Sequence, residues 1–323
     1  MSSRMNNILI IGACGQIGSE LTSALREEYG AESVVATGHK TAPPVDLKEE
    51  GPFEYADILD KDSISRLIKK YDIDSVYNLA AILSAKGEEN PQLAFEVNVL
   101  GLYNTLELGL KHDLNKIIVP SSIAVFGPEA PKNETPNETV LKPTSMYGVT
   151  KVTGELLGDY YYRKFGLDVR GLRLPGIISY KTPPGGGTTD YAVEVFYKAL
   201  KEGHYDFFVR EDTVLPLMYM PDCINSLIQL AQADIEDLKH HCDFNVGSLS
   251  FSAGELAKSI QKKMPSFTYE FHPDERQKIA DSWPNSLDDT PAREEWGWNP
   301  EYDLETMVDD MLQNLSDKLK VEY

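Results

Sequence analysis

The stretch Asn7-Ile8-Leu9-Ile10-Ile11-Gly12-Ala13-Cys14-Gly15-Gln16-Ile17-Gly18 decides the fold. A short apolar run breaks into a Gly-x-x-Gly-x-x-Gly loop, and helical periodicity follows with Ile17, Leu21 and Leu25 on one face. Glycines at these positions let the backbone turn tightly and approach a pyrophosphate, whose charge then sits on a helix N-terminus. The same pattern also fits a plain strand-to-helix turn. Its place straight after the first strand favours nucleotide binding.

Working outward, residues 33–37, 53–56, 75–79 and 116–120 read as further strands. Helices are expected from Asp60 or Asp62 to about residue 71, and over about 91–112. Strands alternating with helices of this length imply an α/β fold, a Rossmann-like doubly wound parallel sheet covered on both faces. Beyond Leu141 the pattern is less regular. Thr144 or Ser145 caps a helix running to residue 165, and residues 169–172 form a strand. The segment 182–187 is too rich in Gly and Pro for regular structure, and a helix follows over 189–202. The last third mixes short strands (244–246, 268–271) with helices (253–263, 304–319). We expect a dinucleotide-binding domain over 1–178, with some later segments returning to it. Residues 179–323 form mainly a smaller mixed α/β substrate-binding lobe.

Tyr147-Gly148-Val149-Thr150-Lys151 carries the most chemistry. A Tyr four residues before a Lys puts both side chains on one helical face, one turn apart. An adjacent ammonium favours the phenolate, so the pair can exchange a proton with an alcohol or carbonyl. Tyr-x-x-x-Lys also arises as a solvated helix face, and two features lift it above that: the glycine loop and Ser121-Ser122 at the end of the fifth strand. Ser122 can hydrogen-bond the oxygen that Tyr147 protonates or deprotonates, or it can be an ordinary turn or cap serine.

Weaker signals surround these. The second strand ends Thr37-Gly38-His39-Lys40, where an NAD-binding unit normally offers an acid to the adenosine ribose. A Gly plus a base is also how a site admits the 2′-phosphate of NADP, and Lys40 also reads as a solvated charge. Asp57-Ile58 could hold the adenine amine. The small residues of Asn78-Leu79-Ala80-Ala81 could let the backbone lie against a cofactor, or simply pack. Asp190 could bind an ammonium or cap the helix that follows. Trp283-Pro284 could be pocket wall or core. The six histidines show no metal-ligand clustering, so no metal site is expected, and His240-His241 reads as a surface pair.

Net charge of −20 argues against partners with anionic surfaces, so neither nucleic acid nor membrane is expected. The three cysteines make no disulfide framework and fit a reducing compartment. No run reaches transmembrane length, and Met1 to Asn7 resembles neither a secretory nor a transit segment. A cytoplasmic protein is the expectation. A mitochondrial-matrix address is the alternative if a transit peptide lies outside this sequence.

Glycine loop, Ser122, Tyr147 and Lys151 in this order resemble the extended short-chain dehydrogenase/reductase superfamily, over essentially the whole chain. The general relatives are nucleotide-sugar epimerases. Residues 120–127 (PSSIAVFG), 183–194 (PPGGGTTDYAVE) and 277–289 (QKIADSWPNSLDD) look closer to one branch, the short-chain-type L-threonine 3-dehydrogenases. Gly38 departs from the branch's usual Asp. The resemblance implies NAD-dependent oxidation of the threonine β-hydroxyl to 2-amino-3-ketobutyrate. It makes Tyr147 the general base, with Lys151 lowering its pKa and holding the nicotinamide ribose, and Ser122 orienting the hydroxyl. The cofactor would lie along Gly12, Gly15, Gln16, Ile17, Gly18, Asp57, Ile58, Leu79, Ala80, Ala81, Asn98 and Ile177. The amino acid would meet Ser84, Ser121, Thr188, Thr189, Asp190 and Trp283. The resemblance also implies a homodimer through residues 91–112 and 145–165. The competing readings are a UDP-sugar epimerase or dehydratase and a non-catalytic dinucleotide sensor. The first needs a large basic pocket, and the second has no need of Ser122, Tyr147 and Lys151 together.

Overall fold

The strand β1 (Ile8–Ile11) is buried along its length and feeds two cores at once. Side chains alternate across a strand, so Ile8 and Ile10 enter one apolar cluster while Leu9 and Ile11 enter another. The same split recurs along β2 (Val34–Gly38), β4 (Ser75–Asn78) and β5 (Lys116–Ile118): Val34, Ala36, Tyr77 and Ile118 face one way, Val35, Val76 and Ile117 the other. With β3 (Phe53–Tyr55) and β7 (Val169–Arg170) these strands form a six-stranded sheet in the order β3-β2-β1-β4-β5-β7, all parallel. The expected fold class is therefore observed. The computed structural model describes residues 5–183 and 187–321.

One face is covered by the helices Gln16–Tyr29 and Met220–Gln232, which contribute Leu21, Leu25, Leu227 and Leu230. The other face takes Ile64 and Ile68 from Lys61–Lys70, Leu102 and Leu106 from Gly101–Lys111, and Tyr161 from Met146–Phe165. Asp60 caps the first of these three through Ser63 N, and Ser145 caps the last through Gly148 N. The helix expected over 91–112 is not uniform. Pro91–Phe95 and Gly101–Lys111 are α-helical, and a π-turn, Glu96–Leu100, joins them and carries Asn98.

Strand order reverses between β1 and β4, which opens a crevice at the carboxyl ends of the strands. Three short elements surround it: β6 (Ser121–Ser122), β8 (Leu172–Leu174) and β9 (Gly176–Ile178). The expected strand at 169–172 is thus two strands broken at Gly171. A separate apolar cluster gathers residues from Ile178 to Leu315, built on the helices Tyr191–Glu202, Ala253–Lys263 and Leu304–Leu319. Segments beyond 178 also enter the sheet cores: Cys223, Phe244, Ala292 and Trp298 pack with the first strands. His240-His241 is not a surface pair. His241 is buried with its ring 3.6 Å from that of Tyr162, and His240 lies between Glu138 and Glu295. Among the described residues, no helix is long and apolar enough to cross a membrane.

Two glycines of the opening loop are required by space. Gly12 has φ of 90°, and a Cβ there would lie 2.9 Å from the Ala80 nitrogen. A Cβ on Gly18 would lie 2.3 Å from the Gly12 oxygen. Gly18→Ala must therefore push backbone apart, at a cost of about 1–3 kcal/mol. A fall in thermal midpoint measured by calorimetry is the expected result, and an unchanged midpoint would contradict this packing.

Candidate active site

A cleft of about 340 Å³ lies over the strand ends. Its floor is the glycine loop. Gly15 is the N-cap of Gln16–Tyr29 and no side chain caps that helix, so its first N–H groups face the cleft. A Cβ on Gly15 would approach only the Gly12 oxygen, at 3.3 Å, which leaves that side open to a ligand. These residues fit a dinucleotide pyrophosphate. Gly12, Gly15, Gln16, Ile17, Gly18, Leu79, Ala81 and Ile177 all line the cleft, as expected for a cofactor.

The other expected cofactor residues sit elsewhere. Ala80 and Asn98 line an adjoining cavity of about 30 Å³ that shares Asn78, Ala81 and Lys151 with the cleft. Asn98 works through the backbone: its Oδ1 accepts from Ile82 N at 2.7 Å, and its Nδ2 donates to Ile82 O and to Thr150 Oγ1, each at 3.0 Å. It ties the loop after β4 to the helix of Tyr147. Asp57 and Ile58 lie off the cleft. Asp57 Oδ2 lies 3.3 Å from His39 Nε2, and Ile58 is buried against Gly101. Gly38 ends β2, and a Cβ there would meet Cys14 Sγ at 2.6 Å. The thiol of the glycine loop stands where an acidic side chain would begin.

Across the cleft, Ser122, Tyr147 and Lys151 come together. Their meeting depends on Gly148, whose Cβ would lie 2.2 Å from the Ala124 oxygen; the helix start thus rests directly on the turn after β6. Ser122 fills the cap role considered for it and also lines the cleft beside Tyr147. Its Oγ accepts from Ala124 N at 3.2 Å, capping the turn, and it hydrogen-bonds Tyr147. Lys151 Nζ donates to Pro120 O at 2.6 Å and lies 5.5 Å from the Tyr147 ring centre.

The expected lowering of the Tyr147 pKa is not what the free protein has. Burial pushes the phenol up to about 12, and the Ser122 hydrogen bond only partly opposes it. Burial also brings Lys151 down to about 8, opposed by Glu155 one turn on. Desolvation disfavours the charged form of each group and outweighs the opposing effects of Ser122 and Glu155.

Of the expected substrate residues, Ser84, Thr188, Thr189, Asp190 and Trp283 line the cleft. Thr189 packs on Gly176, where a Cβ would lie 2.7 Å from its methyl. Asp190 does not cap its own helix. Its Oδ2 accepts from Gly187 N at 2.8 Å and turns the end of the loop. Residues 184–186 of the Gly-rich segment lie outside the described residues. Trp283 is both wall and packing, since it also touches two apolar clusters. Ser121 is the correction here. It borders the cleft, but its buried hydroxyl donates to Glu155 Oε1 at 2.5 Å, away from a substrate.

Sequence reasoning missed Leu174, Pro175 and Gly176, which line the cleft at the end of β8. A Pro-Gly after a strand was the available signal. It also missed Glu155 and Arg173, a buried pair at 2.8 Å beneath the site. The four-residue step from Lys151 to Glu155 was the signal there.

In the free protein Lys151 should react with an acylating reagent at half its maximal rate near pH 8, read by peptide mass spectrometry. Below that pH its amine is protonated and inert. Exposed lysines should need pH above about 10. Labelling of Lys151 that tracks the surface lysines would contradict the desolvated site.

Residues 8–247 match the model of the NAD dependent epimerase/dehydratase family. An L-threonine dehydrogenase structure from Clostridium difficile is 50% identical, with 98% of this chain and 99% of that one covered and a TM-score of 0.96. A GalE-like L-threonine dehydrogenase from Cupriavidus necator, in its holo form, is 44% identical over 96% and 99%, with a TM-score of 0.92. An uncharacterized epimerase/dehydratase of Staphylococcus saprophyticus is 44% identical over 319 residues, covering 98% of this chain and 99% of its own. With the glycine loop and the Ser122, Tyr147 and Lys151 constellation in one cleft, the chain belongs to the NAD dependent epimerase/dehydratase family.

Proposed function

We propose that the protein oxidises the β-hydroxyl of L-threonine to 2-amino-3-ketobutyrate, passing hydride from Cβ to NAD. The observation that carries this reading is the charge of the cleft. Among the described residues lining it, Lys151 is the one cation, and it is held by the Pro120 carbonyl. A UDP-sugar brings two phosphates besides those of the cofactor and calls for further bases. A small zwitterion needs little more than Asp190 for its ammonium, with Ser84 and Thr188 hydroxyls as hydrogen-bond partners. The two threonine dehydrogenase structures, similar over nearly the whole chain, support the same choice.

Bound NAD supplies the hydride acceptor. The chain supplies alignment and the route for the proton. Ser122 holds the substrate oxygen beside Tyr147, whose Oη takes the hydroxyl proton as the Cβ–H bond breaks. With a pKa of about 12 the phenol is protonated at neutral pH in the free protein, so cationic neighbours must favour its anion when the cleft is filled. Lys151 is such a neighbour only while charged, which holds below about pH 8. NAD is assigned over NADP because nothing in the cleft lining besides Lys151 is basic, and the family model that matches the chain is of NAD dependent proteins.

Purified protein should reduce NAD with L-threonine and barely with UDP-glucose or UDP-galactose. NADP should give the lower kcat/KM, unchanged in ratio by Lys40→Ala. Tyr147→Phe should keep cofactor affinity while turnover falls about 10²–10⁴-fold. Faster sugar-nucleotide turnover would overturn the substrate, and near-normal turnover of the Phe variant would overturn the base.

We also propose a homodimer. Val149, Leu156 and Tyr160 on one helix and Phe95, Leu100 and Tyr103 beside it expose apolar side chains, Leu156 by 65%. Two copies pairing these faces make a four-helix interface. Leu156→Glu should convert a dimer to a monomer in sedimentation velocity; an unchanged coefficient would contradict the interface.

A further inference from the structure

The strands His204–Phe207 and Thr268–Phe271 pair in parallel as a two-stranded sheet away from the cleft. Their alternation sends Tyr205, Phe207, Tyr269 and Phe271 into the apolar cluster and leaves His204, Asp206, Thr268 and Glu270 on the outer face. His272 follows on the same face. Two histidines and two carboxylates, distant in sequence, are thereby neighbours.

We propose that this face is a binding site for a divalent transition-metal ion, zinc being the best fit, clamped by Asp206, Glu270 and His272 with His204 adjoining. Ligand atoms of the first three all lie within 4.8 Å of one another. His272 Nε2 is 2.9 Å from Glu270 Oε2 and 3.7 Å from Asp206 Oδ1, and His204 Nε2 is 3.2 Å from that same Oδ1. A tetrahedral zinc with arms of about 2.0–2.1 Å has ligand atoms about 3.3 Å apart, so these spacings bracket a metal polyhedron.

Two further observations point the same way. Asp206 and Glu270 are register partners across the pair, and like charges directly opposite destabilise a sheet. A dication between them turns repulsion into ligation. His204 is also oriented from behind: Thr268 Oγ1 donates to Gly203 O at 3.4 Å and so accepts from His204 Nδ1 at 2.8 Å. That bond places the Nδ1 proton and turns Nε2 toward Asp206, as a second-shell partner does for a metal-bound imidazole. A mixed nitrogen and oxygen donor set selects zinc or a neighbour over magnesium or calcium, which prefer oxygen alone. The ion would join segments some sixty residues apart, and ligation of the native state alone raises stability.

The test is calorimetric titration of tag-free full-length protein with zinc chloride at pH 7.5, together with thermal denaturation. About one zinc per chain and a raised midpoint are expected, with magnesium chloride giving neither. His272→Ala and Asp206→Asn, both exposed, should weaken zinc at least about tenfold. The double variant His204→Ala/His272→Ala should lose the zinc-dependent rise. No zinc binding, zinc binding unchanged in the double variant, or an equal response to magnesium would each overturn the proposal.

Discussion

A single buried ion pair fixes the geometry of the site. Glu155 accepts from Arg173 through both oxygens, at 2.9 and 2.8 Å, and its Oε1 also takes the Ser121 hydroxyl. Arg173 in turn donates to the Asn137 carbonyl at 2.7 Å and to Asn245 Oδ1 at 3.3 Å. The pair thus joins the long helix, β6, β8 and the segment around Asn245 in one hydrogen-bonded network. Several cleft residues are a short step from it: Lys151 one turn before Glu155, Ser122 next to Ser121, and Leu174 next to Arg173. Such a pair adds little net stability over apolar packing, but removing one partner leaves a buried charge and costs about 3–5 kcal/mol. Its value here is position, because proton transfer fails when the oxygens are misplaced by an ångström.

The same burial that fixes these groups works against their charges. Tyr147 is raised to about 12 and Lys151 lowered to about 8. A free cleft is therefore poised close to neutral, with the phenol protonated and the amine half-way through its titration near pH 8. The proposed oxidation needs the opposite polarity, an anion on one and a cation on the other. A cationic ring bound in the cleft would favour the phenolate, so under that proposal Tyr147 acts as base only in the complex.

The parallel sheet was legible because strand-like and helix-like segments alternate from β1 onward, and the loop from Gly12 to Gly18 punctuates the apolar run of β1. The Tyr147 and Lys151 pair of the cleft was legible because the two share one helix face. What was hidden depended on contacts between distant segments. Ser121 and Ser122 are indistinguishable in sequence, and only the buried Glu155 shows that the first serves the scaffold and the second the cleft. Asn98 reads as a cofactor ligand, yet the π-turn points it at the loop after β4. His241 reads as polar surface, and a stacked Tyr162 buries it. The helix Met220–Gln232, which packs on one sheet face, has no side-chain cap and was missed despite Pro221 in its first turn. Its C-terminal carbonyls are instead met by the buried Arg170 and Lys116.

The most direct measurement uses L-threonine carrying deuterium at Cβ, with NAD, and follows the label by mass spectrometry. Oxidation at the β-carbon predicts one deuterium delivered to each NADH formed and none left on the amino-ketone product. Deuterium retained on the carbon skeleton, or NADH formed without label, would contradict hydride transfer from that carbon.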